Sequence, residues 1–569
     1  MIHAQVIEDH ITVTMPPTYF EIAKRIPGGL YKNGNWVFPL SWPACLQLRD
    51  EFGDSLVVDQ SLANWAQGYL SRKEAVMAAQ RGEFVAEGLD DRLRPKQALG
   101  ATWLAWAGRC ILGDEMRSGK TPQMIQALKT VGPSAYPALL VCPSTNRWVW
   151  AEEFTVWDPS VCTIVLHGTP TQKAKQIAEA HTAIDAGLPV VVIVNWEAIR
   201  GLSRLEGYGS VELSEKERKP GLLQEIEWAT VIADEAHRAL DPHAKQTRAL
   251  WYLMHHAQRR YCMTATGIAN SGADLYSLWH AVAPDECPKG RSKWIDRYCV
   301  AGQGRFGWEI AGFRPERSDE MFAALDPRFL RRTMREVREG MPDRLPVEVW
   351  RQPLEGKQAK TYADLKRKMV AELPTEGGKS ALLVVTDPLT LAGRLGYATA
   401  ATPILDDAGG VVALGMPSVK VDVLKEVLAQ NPGEPLVVFA VSRKLLVLCE
   451  EQLTKAKIEW VSVHGGVDPQ MRAANIARFQ TGQAQVCLCT TGAGAEGITL
   501  NRANRTLFLQ RDWSNVKNVQ AEARTDGLEG GMPIETIIHV VSDSIEERAL
   551  TVGEVKSGYL QELVRDALR

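Results

Sequence analysis

The chain has 569 residues, 45% of them hydrophobic and 23% charged, with 65 Lys plus Arg against 68 Asp plus Glu for a formal net charge of −3. At about 150 residues per domain this length excludes a single small module, and the composition excludes a disordered or fibrous chain. The near-neutral balance creates no positive field over the whole surface, so composition alone does not point to nucleic acid.

The ten cysteines are scattered. Only Cys487 and Cys489 lie close, at a spacing shorter than that of usual zinc ligands; on a strand they would share one face as reduced, buried thiols. The start, MIHAQVIEDH, has no signal-peptide pattern, and no apolar run reaches the ~18 residues a membrane span needs. The expectation is a soluble cytoplasmic, nucleoid or nuclear monomer with no membrane partner.

Residues 1–90 read as a small α+β accessory module: ITVT and NWVFPL as strands, PPTYFEIAKRI and SWPACLQLRDEF as helices, with Ser41 a helix start before Trp42-Pro43. Residues 91–283 carry short β-rich runs (ALLVCP, PVVVIVNW, ATVIADEAH) separated by amphipathic stretches, the pattern of parallel strands with crossover helices. The pattern falters over 284–416, where polar, Arg-rich sequence predicts helical insertions between lobes. It resumes over 417–569 with PLVVFA, EWVSVH, QVCLCT, RTLFLQ and ETIIHVV, a second α/β domain. The spacing of Trp103, Trp106, Trp148 and Trp150 predicts core positions.

The strongest local signal is the run Gly113 to Thr121, GDEMRSGKT, between the apolar CIL and the helical QMIQALKT. A strand, loop and helix in that order form a phosphate cradle: Gly119 lets backbone amides approach phosphate, Lys120 reaches its oxygens, and the Thr121 hydroxyl can ligate Mg²⁺. The standard loop pattern has glycine where this chain has Asp114, and GKT alone also fits a surface turn. The second signal is Asp234-Glu235-Ala236-His237 at the end of the run WATVIA. There Asp234 would hold Mg²⁺ and Glu235 would orient or deprotonate the attacking water, although acids also favour helix starts. The two signals together point to an NTP site.

The stretch LRPKQALGATWLAWAGRCILGDEMRSGKTPQ resembles the opening of the Swi/Snf-type helicase-like ATPases of helicase superfamily two, whose loop also has Asp at this place. ALLVCPSTNRWVWAEEF, VIVNWEAI, DEAHR, MTATGIAN, FLRRTMREV, LVVFAVSRKLL, VHGGV, TTGAGAEGITLNRAN and QAEAR follow in the family's order. The resemblance implies two RecA-like parallel-sheet lobes around an ATP cleft and a DNA-dependent ATPase that translocates on, remodels or re-anneals duplex or forked DNA in replication or repair. It also implies an adenine-reading Gln97 and an ATP loop including Asp114, Met116, Ser118, Gly119, Lys120 and Thr121. Pro143, Ser144 with Thr145, Asn195, Ser442, Arg443, Thr490, Thr491 and Gly492 would contact the DNA backbone, and Thr264 and Thr266 would couple nucleotide to DNA. Gln520 and Arg524 match the sixth motif. Its second arginine is replaced by Gly527 beside the acidic Asp526, with Arg511 a candidate substitute, and Arg117 stands where the family has glycine. An ATP-binding DNA scaffold with weak hydrolysis and an RNA-directed helicase of the same superfamily remain alternatives. The 284–346 stretch resembles the annealing-helicase branch, and LYKNGNWVFPLSWPACLQL a HARP-type substrate module. In that module Tyr31, Lys32 and Trp36 would stack on unpaired bases, or the unit would simply pack against the motor.

Overall fold

The computed structural model describes residues 2–551 apart from 27, 206–211, 266–272, 288–289, 305–306, 318–319, 322–324, 369, 375–379, 385–387, 408–409, 495–497, 528–530 and 548–549. Thr266 therefore lies outside the described residues. The chain divides into two compact units, Met1–Val337 and Arg338–Arg569, a boundary that falls inside the stretch read above as insertions.

The first unit opens with β1 (Ile2–Ile7), β2 (His10–Thr14), β3 (Leu30–Lys32), β4 (Asn35–Pro39) and β5 (Leu56–Val58), which form one sheet in the order β3-β4-β2-β1-β5. Alternating Ile2, Ala4, Ile11, Val13 and Phe38 bury one face of it. The helix Trp42–Phe52 starts where expected, with Ser41 Oγ accepting the Ala44 amide at 3.4 Å. The helix Gln60–Arg81 continues from the sheet toward the rest of the unit. Gln80 there donates to the Phe329 carbonyl at 3.4 Å. Tyr69 on the same helix lies beside Glu286 and Arg328, and burial first raises its pKa.

The main sheet of this unit contains β6 (Arg109–Leu112), β7 (Ala138–Cys142), β8 (Cys162–Val165), β9 (Val190–Asn195), β10 (Thr230–Asp234) and β11 (Arg259–Met263). A hairpin, β12 (Cys299–Gly304) with β13 (Gly307–Phe313), precedes β14 (Phe329–Leu330), which returns to the main sheet. The order is β14-β6-β11-β10-β7-β9-β8, every pairing parallel. The near-continuous apolar runs of β7, β9 and β10 are buried on both faces, as a parallel sheet covered by helices requires.

In the second unit β15 (Glu348–Gln352) leads to two antiparallel pairs, β16 (Val370–Pro374) with β17 (Ser380–Val384) and β18 (Thr402–Leu405) with β19 (Val411–Gly415). Among the described residues the 284–416 stretch thus holds three two-stranded pairs beside the helices that its polar composition predicts. Then β20 (Leu436–Ala440), β21 (Trp460–Val463), β22 (Val486–Thr490), β23 (Arg505–Phe508) and β24 (Glu535–Val541) complete a parallel sheet ordered β15-β24-β23-β20-β22-β21. Both units are therefore α/β with a parallel sheet. Cys487 and Cys489 on β22 do share a face, with sulfurs 3.6 Å apart. No helix among the described residues is long and apolar enough to cross a membrane.

Candidate functional site

The loop between β6 and the helix Lys120–Val131 takes its shape from side chains packed around it. Gly119 sits at φ +80°, and a Cβ there would lie 2.3 Å from Gln97 Nε2, so any other residue would be strained and would displace the Gln97 amide. Gln97 is buried, donates to the Ser118 carbonyl at 2.9 Å and accepts the Arg94 amide at 3.1 Å, so its amide braces the loop. Arg117 adopts φ +60°. An arginine side chain disfavours that backbone conformation, which costs about 1–2 kcal/mol here.

Lys120, at the start of the helix, donates to the carbonyls of Asp114 at 2.9 Å and Glu115 at 3.0 Å. Burial lowers its pKa, opposed by the negative charges of Glu235, Asp114 and Asp234. The Asp114 carboxylate is fully buried and engaged by Arg332, Nη2 to Oδ2 at 2.6 Å, so it anchors the loop from behind. Met116 and Thr121 are half-buried, and Ser118 is fully buried with no hydrogen-bond partner for Oγ among the described residues.

The acidic pair stands at the end of β10, two strands from β6 across β11. Trp150 Nε1 donates to Asp234 Oδ2 at 2.9 Å, the Glu235 amide donates to Oδ1 at 3.0 Å, and Trp196 Nε1 donates to the Asp234 carbonyl at 2.9 Å. Burial first, then the neighbouring Glu235, raises the Asp234 pKa. Glu235 holds φ +52° and lies 3.1 Å from His237, whose Nδ1 is 3.3 Å from Thr264 Oγ1. A non-glycine residue in that conformation stores about 1–3 kcal/mol, a cost met at functional sites.

Of the other predicted positions on this unit, Pro143 is half-buried at the end of β7 and Ser144 is exposed with Thr145. Asn195 donates to Glu197 at 2.8 Å, which pairs with Arg238 at 2.8 Å. Trp103 and Trp150 are buried as expected, but Trp106 and Trp148 are exposed, because their helices turn one face outward. Trp36 is buried against Phe20, Tyr31 and Phe38, so of the proposed stacking residues only Tyr31 and Lys32 face solvent.

On the second unit Ser442 caps the helix Arg443–Lys455 through Oγ, and exposed Arg443 lies over Gly466. Thr490 is half-buried and Gly492 exposed. Thr491 is fully buried, so in this arrangement its hydroxyl is closed to a phosphate arriving from solvent. Gln520 is buried on the helix Asn515–Glu522, and half-buried Arg524 sits in the turn that follows. Arg511 pairs with Glu522 at 2.9 Å and lies over the Phe508 ring, which commits its guanidinium elsewhere. Asp526 is neutralised by Arg344. A Cβ at Gly527 would meet Pro342 Cγ at 3.0 Å, so a side chain there crowds the proline.

Residues 96–396 match the SNF2-related domain and residues 419–526 the helicase conserved C-terminal domain. The chain belongs to the SNF2-related family of helicase-like ATPases. Among curated SNF2-related proteins it is 24% identical to the chromodomain-helicase-DNA-binding protein 3 homolog of Caenorhabditis elegans, over 85% of this chain and 27% of that protein. It is 23% identical to the ISWI chromatin-remodeling complex ATPase ISW2 of Saccharomyces cerevisiae, over 84% of this chain and 41% of that protein. The chain thus spans well under half the length of either relative. A solved structure, the Sulfolobus solfataricus SWI2/SNF2 ATPase core in complex with dsDNA, is 19% identical, with 84% of this chain and 95% of that chain covered and a TM-score of 0.38. Residues before 96, including the N-terminal sheet, lie outside both SNF2-related matches.

Proposed function

We propose that this chain is a DNA-dependent ATPase that translocates on or remodels duplex or branched DNA. The observation that carries the reading is that β6 leads into the glycine-bearing loop and Lys120 while β10, two strands away in the same parallel sheet, ends in Asp234 and Glu235, whose charges act on the Lys120 ammonium. The residues fit ATP with Mg²⁺: among the described residues the lysine ammonium donates to two carbonyls it can leave, and two adjacent acids favour a cation. Thr121 and Asp234 would hold the metal, which when bound supplies charge neutralisation for the phosphates. Lys120 would bind phosphate oxygen, with Met116, Ser118 and Gly119 lining the loop and Gln97 bracing it from behind. Glu235 would orient the attacking water and take its proton at the carboxylate. Arg524, aided by Gln520, would stabilise developing charge as the arginine finger. Pro143, Ser144, Asn195, Ser442, Arg443, Thr490 and Gly492 would position a DNA backbone without reading sequence.

The N-terminal sheet, with exposed Tyr31 and Lys32 at its edge strand, is the part that would select a DNA structure, in line with an annealing-type role. The crowded position at Gly527 favours one competing reading, an ATP-binding DNA scaffold with weak hydrolysis. Phosphate release measured with single-stranded, duplex and forked DNA and with RNA separates them. Stimulation by duplex or forked DNA that is lost in Lys120→Ala supports the motor. Binding of DNA and ATP with no stimulation by any nucleic acid supports the scaffold, and RNA stimulation above DNA points to an RNA-directed enzyme.

A further inference from the structure

One continuous stretch, 328–344, contacts the loop before Lys120 in the first unit and, in the second, the turn that bears Arg524. Its first half lies along the nucleotide loop. The amides of Ile111, Gly113 and Glu115 donate to the carbonyls of Arg328, Leu330 and Arg332 at 2.7, 2.7 and 2.9 Å, so the start of the loop is an extension of the sheet through β14. Asp114 accepts from the Arg332 amide at 3.0 Å, from its Nε at 3.1 Å and from its Nη2 at 2.6 Å. The same guanidinium donates to the Lys96 carbonyl at 2.6 Å and to Gln123 Oε1 at 2.7 Å, tying the loop to the helices on either side. The packing there is so close that a Cβ on Gly100 would sit 1.8 Å from Gln123 Oε1 and 2.5 Å from Arg332 Nη2. The Met334 amide adds a bond to Glu115 Oε2 at 3.0 Å.

The second half repeats the device within the other unit. Arg344 pairs with Asp526, which is 2% exposed, and donates to the Glu522 carbonyl at 3.5 Å. The backbone is fixed there as well: the Ile534 amide donates to the Asp343 carbonyl at 2.7 Å and the Leu345 amide to the Ile534 carbonyl at 2.8 Å. The buried acid and the arginine that answers it bracket the turn bearing Arg524. A buried carboxylate deprived of its partner is strongly destabilising, so in each half the arginine dictates where the acid, and the backbone around it, can rest.

We propose that 328–344 is a positioning strap: Arg332, through Asp114, sets the loop that presents Lys120 and Thr121, and Arg344, through Asp526, sets the turn that presents Arg524. Neither arginine touches a reacting atom. The inference rests on the nucleotide reading of Lys120 and Arg524 given above, and it assigns the two arginines different kinetic signatures. Loss of Arg332 loosens a binding element and weakens nucleotide affinity. Loss of Arg344 loosens a group that matters only in the transition state and lowers kcat.

The test uses the full chain, with methylanthraniloyl-ATP and Mg²⁺ as a fluorescent binding probe, thermal melting, and DNA-stimulated hydrolysis. Arg332→Gln and Asp114→Asn are each expected to weaken probe binding by about 10–100-fold, the range for removing a group that orients a ligand-binding residue. Their combination is expected to be no weaker than the worse single variant, because both break one interaction. Arg332→Lys keeps the charge but loses the planar fork, and serves if Arg332→Gln does not fold; it too is expected to bind the probe more weakly. Arg344→Gln is expected to keep probe affinity within about twofold while kcat falls at least about tenfold. Unchanged affinity in a folded Arg332 variant, additive losses in the double variant, or unchanged kcat in Arg344→Gln would overturn the strap. If the unmodified chain does not bind the probe, the nucleotide reading itself fails instead.

Discussion

The nucleotide loop of the first unit and the sixth-motif turn of the second meet a departure from the family pattern in opposite ways. In the loop, Arg117 stands where the resemblance leads one to expect glycine, and the backbone there takes the left-handed conformation that glycine favours, φ +60°. In the turn, glycine stands at 527 where the resemblance leads one to expect arginine, and Pro342 Cγ lies 3.0 Å from where its Cβ would be, so a side chain there would have to push the proline aside. A phosphate-binding loop works through backbone amides, which a change of side chain leaves in place. An arginine finger works through the side chain itself, so its loss changes what the turn can do.

The comparison breaks most sharply at Arg524. If it carries alone what two arginines usually share, Arg524→Ala lowers DNA-stimulated hydrolysis by about 10³–10⁵-fold with little effect on ATP binding. A steady-state assay in which that variant keeps its turnover would show that another cation acts there. On the first unit Glu235→Gln is expected to cost about 10²–10⁴-fold in kcat, again with binding retained. Binding lost together with turnover would mean that Glu235 holds the loop and not the water.

The second unit has a buried ion pair of its own. Lys420, fully buried, donates to Glu546 at 2.6 Å and to the His539 carbonyl at 3.2 Å, joining the helix Val419–Gln430 to the end of β24. Lys420→Met strands Glu546, and a loss of about 3–5 kcal/mol is expected in denaturant unfolding of the chain. A loss below about 1 kcal/mol would mean that the pair is hydrated. A smaller effect is expected from Trp150→Phe, which keeps the ring packed but removes the indole donor to Asp234; hydrogen bonds to charged groups contribute about 1.5–3 kcal/mol. The measurement is the Mg²⁺ concentration for half-maximal hydrolysis, expected to rise roughly tenfold or more, whereas an unchanged value would reduce Trp150 to a core residue.

What was legible in the sequence tracks how local each constraint is. The apolar runs that became β7, β9, β10, β20, β22 and β24 are buried on both faces, and burial writes itself into composition. The GKT turn and the DEAH strand end were legible because a short run of residue types sets their chemistry. β14 was not: two residues long, it pairs with β6 more than two hundred positions earlier and owes its place to backbone bonds. Separations of 218 and 182 positions hid Arg332 as the partner of Asp114 and Arg344 as the partner of Asp526. Trp150 gave a signal that was read only halfway, since helical spacing placed it in the core but could not show that its indole nitrogen meets Asp234.

The mildest change sharpens the comparison furthest. Gly527→Arg restores the family's second arginine, and if position alone mattered it should raise hydrolysis. The geometry argues otherwise, because the new Cβ meets Pro342 Cγ at 3.0 Å and the side chain must either displace that proline or point away from it. Displacing Pro342 pulls on the stretch whose Arg344 neutralises Asp526. An overpacked contact of this kind costs about 1–3 kcal/mol, so the variant is expected to melt earlier and to hydrolyse ATP no faster than the natural chain. A faster Gly527→Arg enzyme with unchanged melting would show that the turn can open without cost, and that the second unit tolerates change as the nucleotide loop does. Pairing it with Pro342→Ala separates the two explanations: relief of the contact should restore stability first, and a rise in turnover only in the double variant would mean that Pro342 alone keeps a second arginine out.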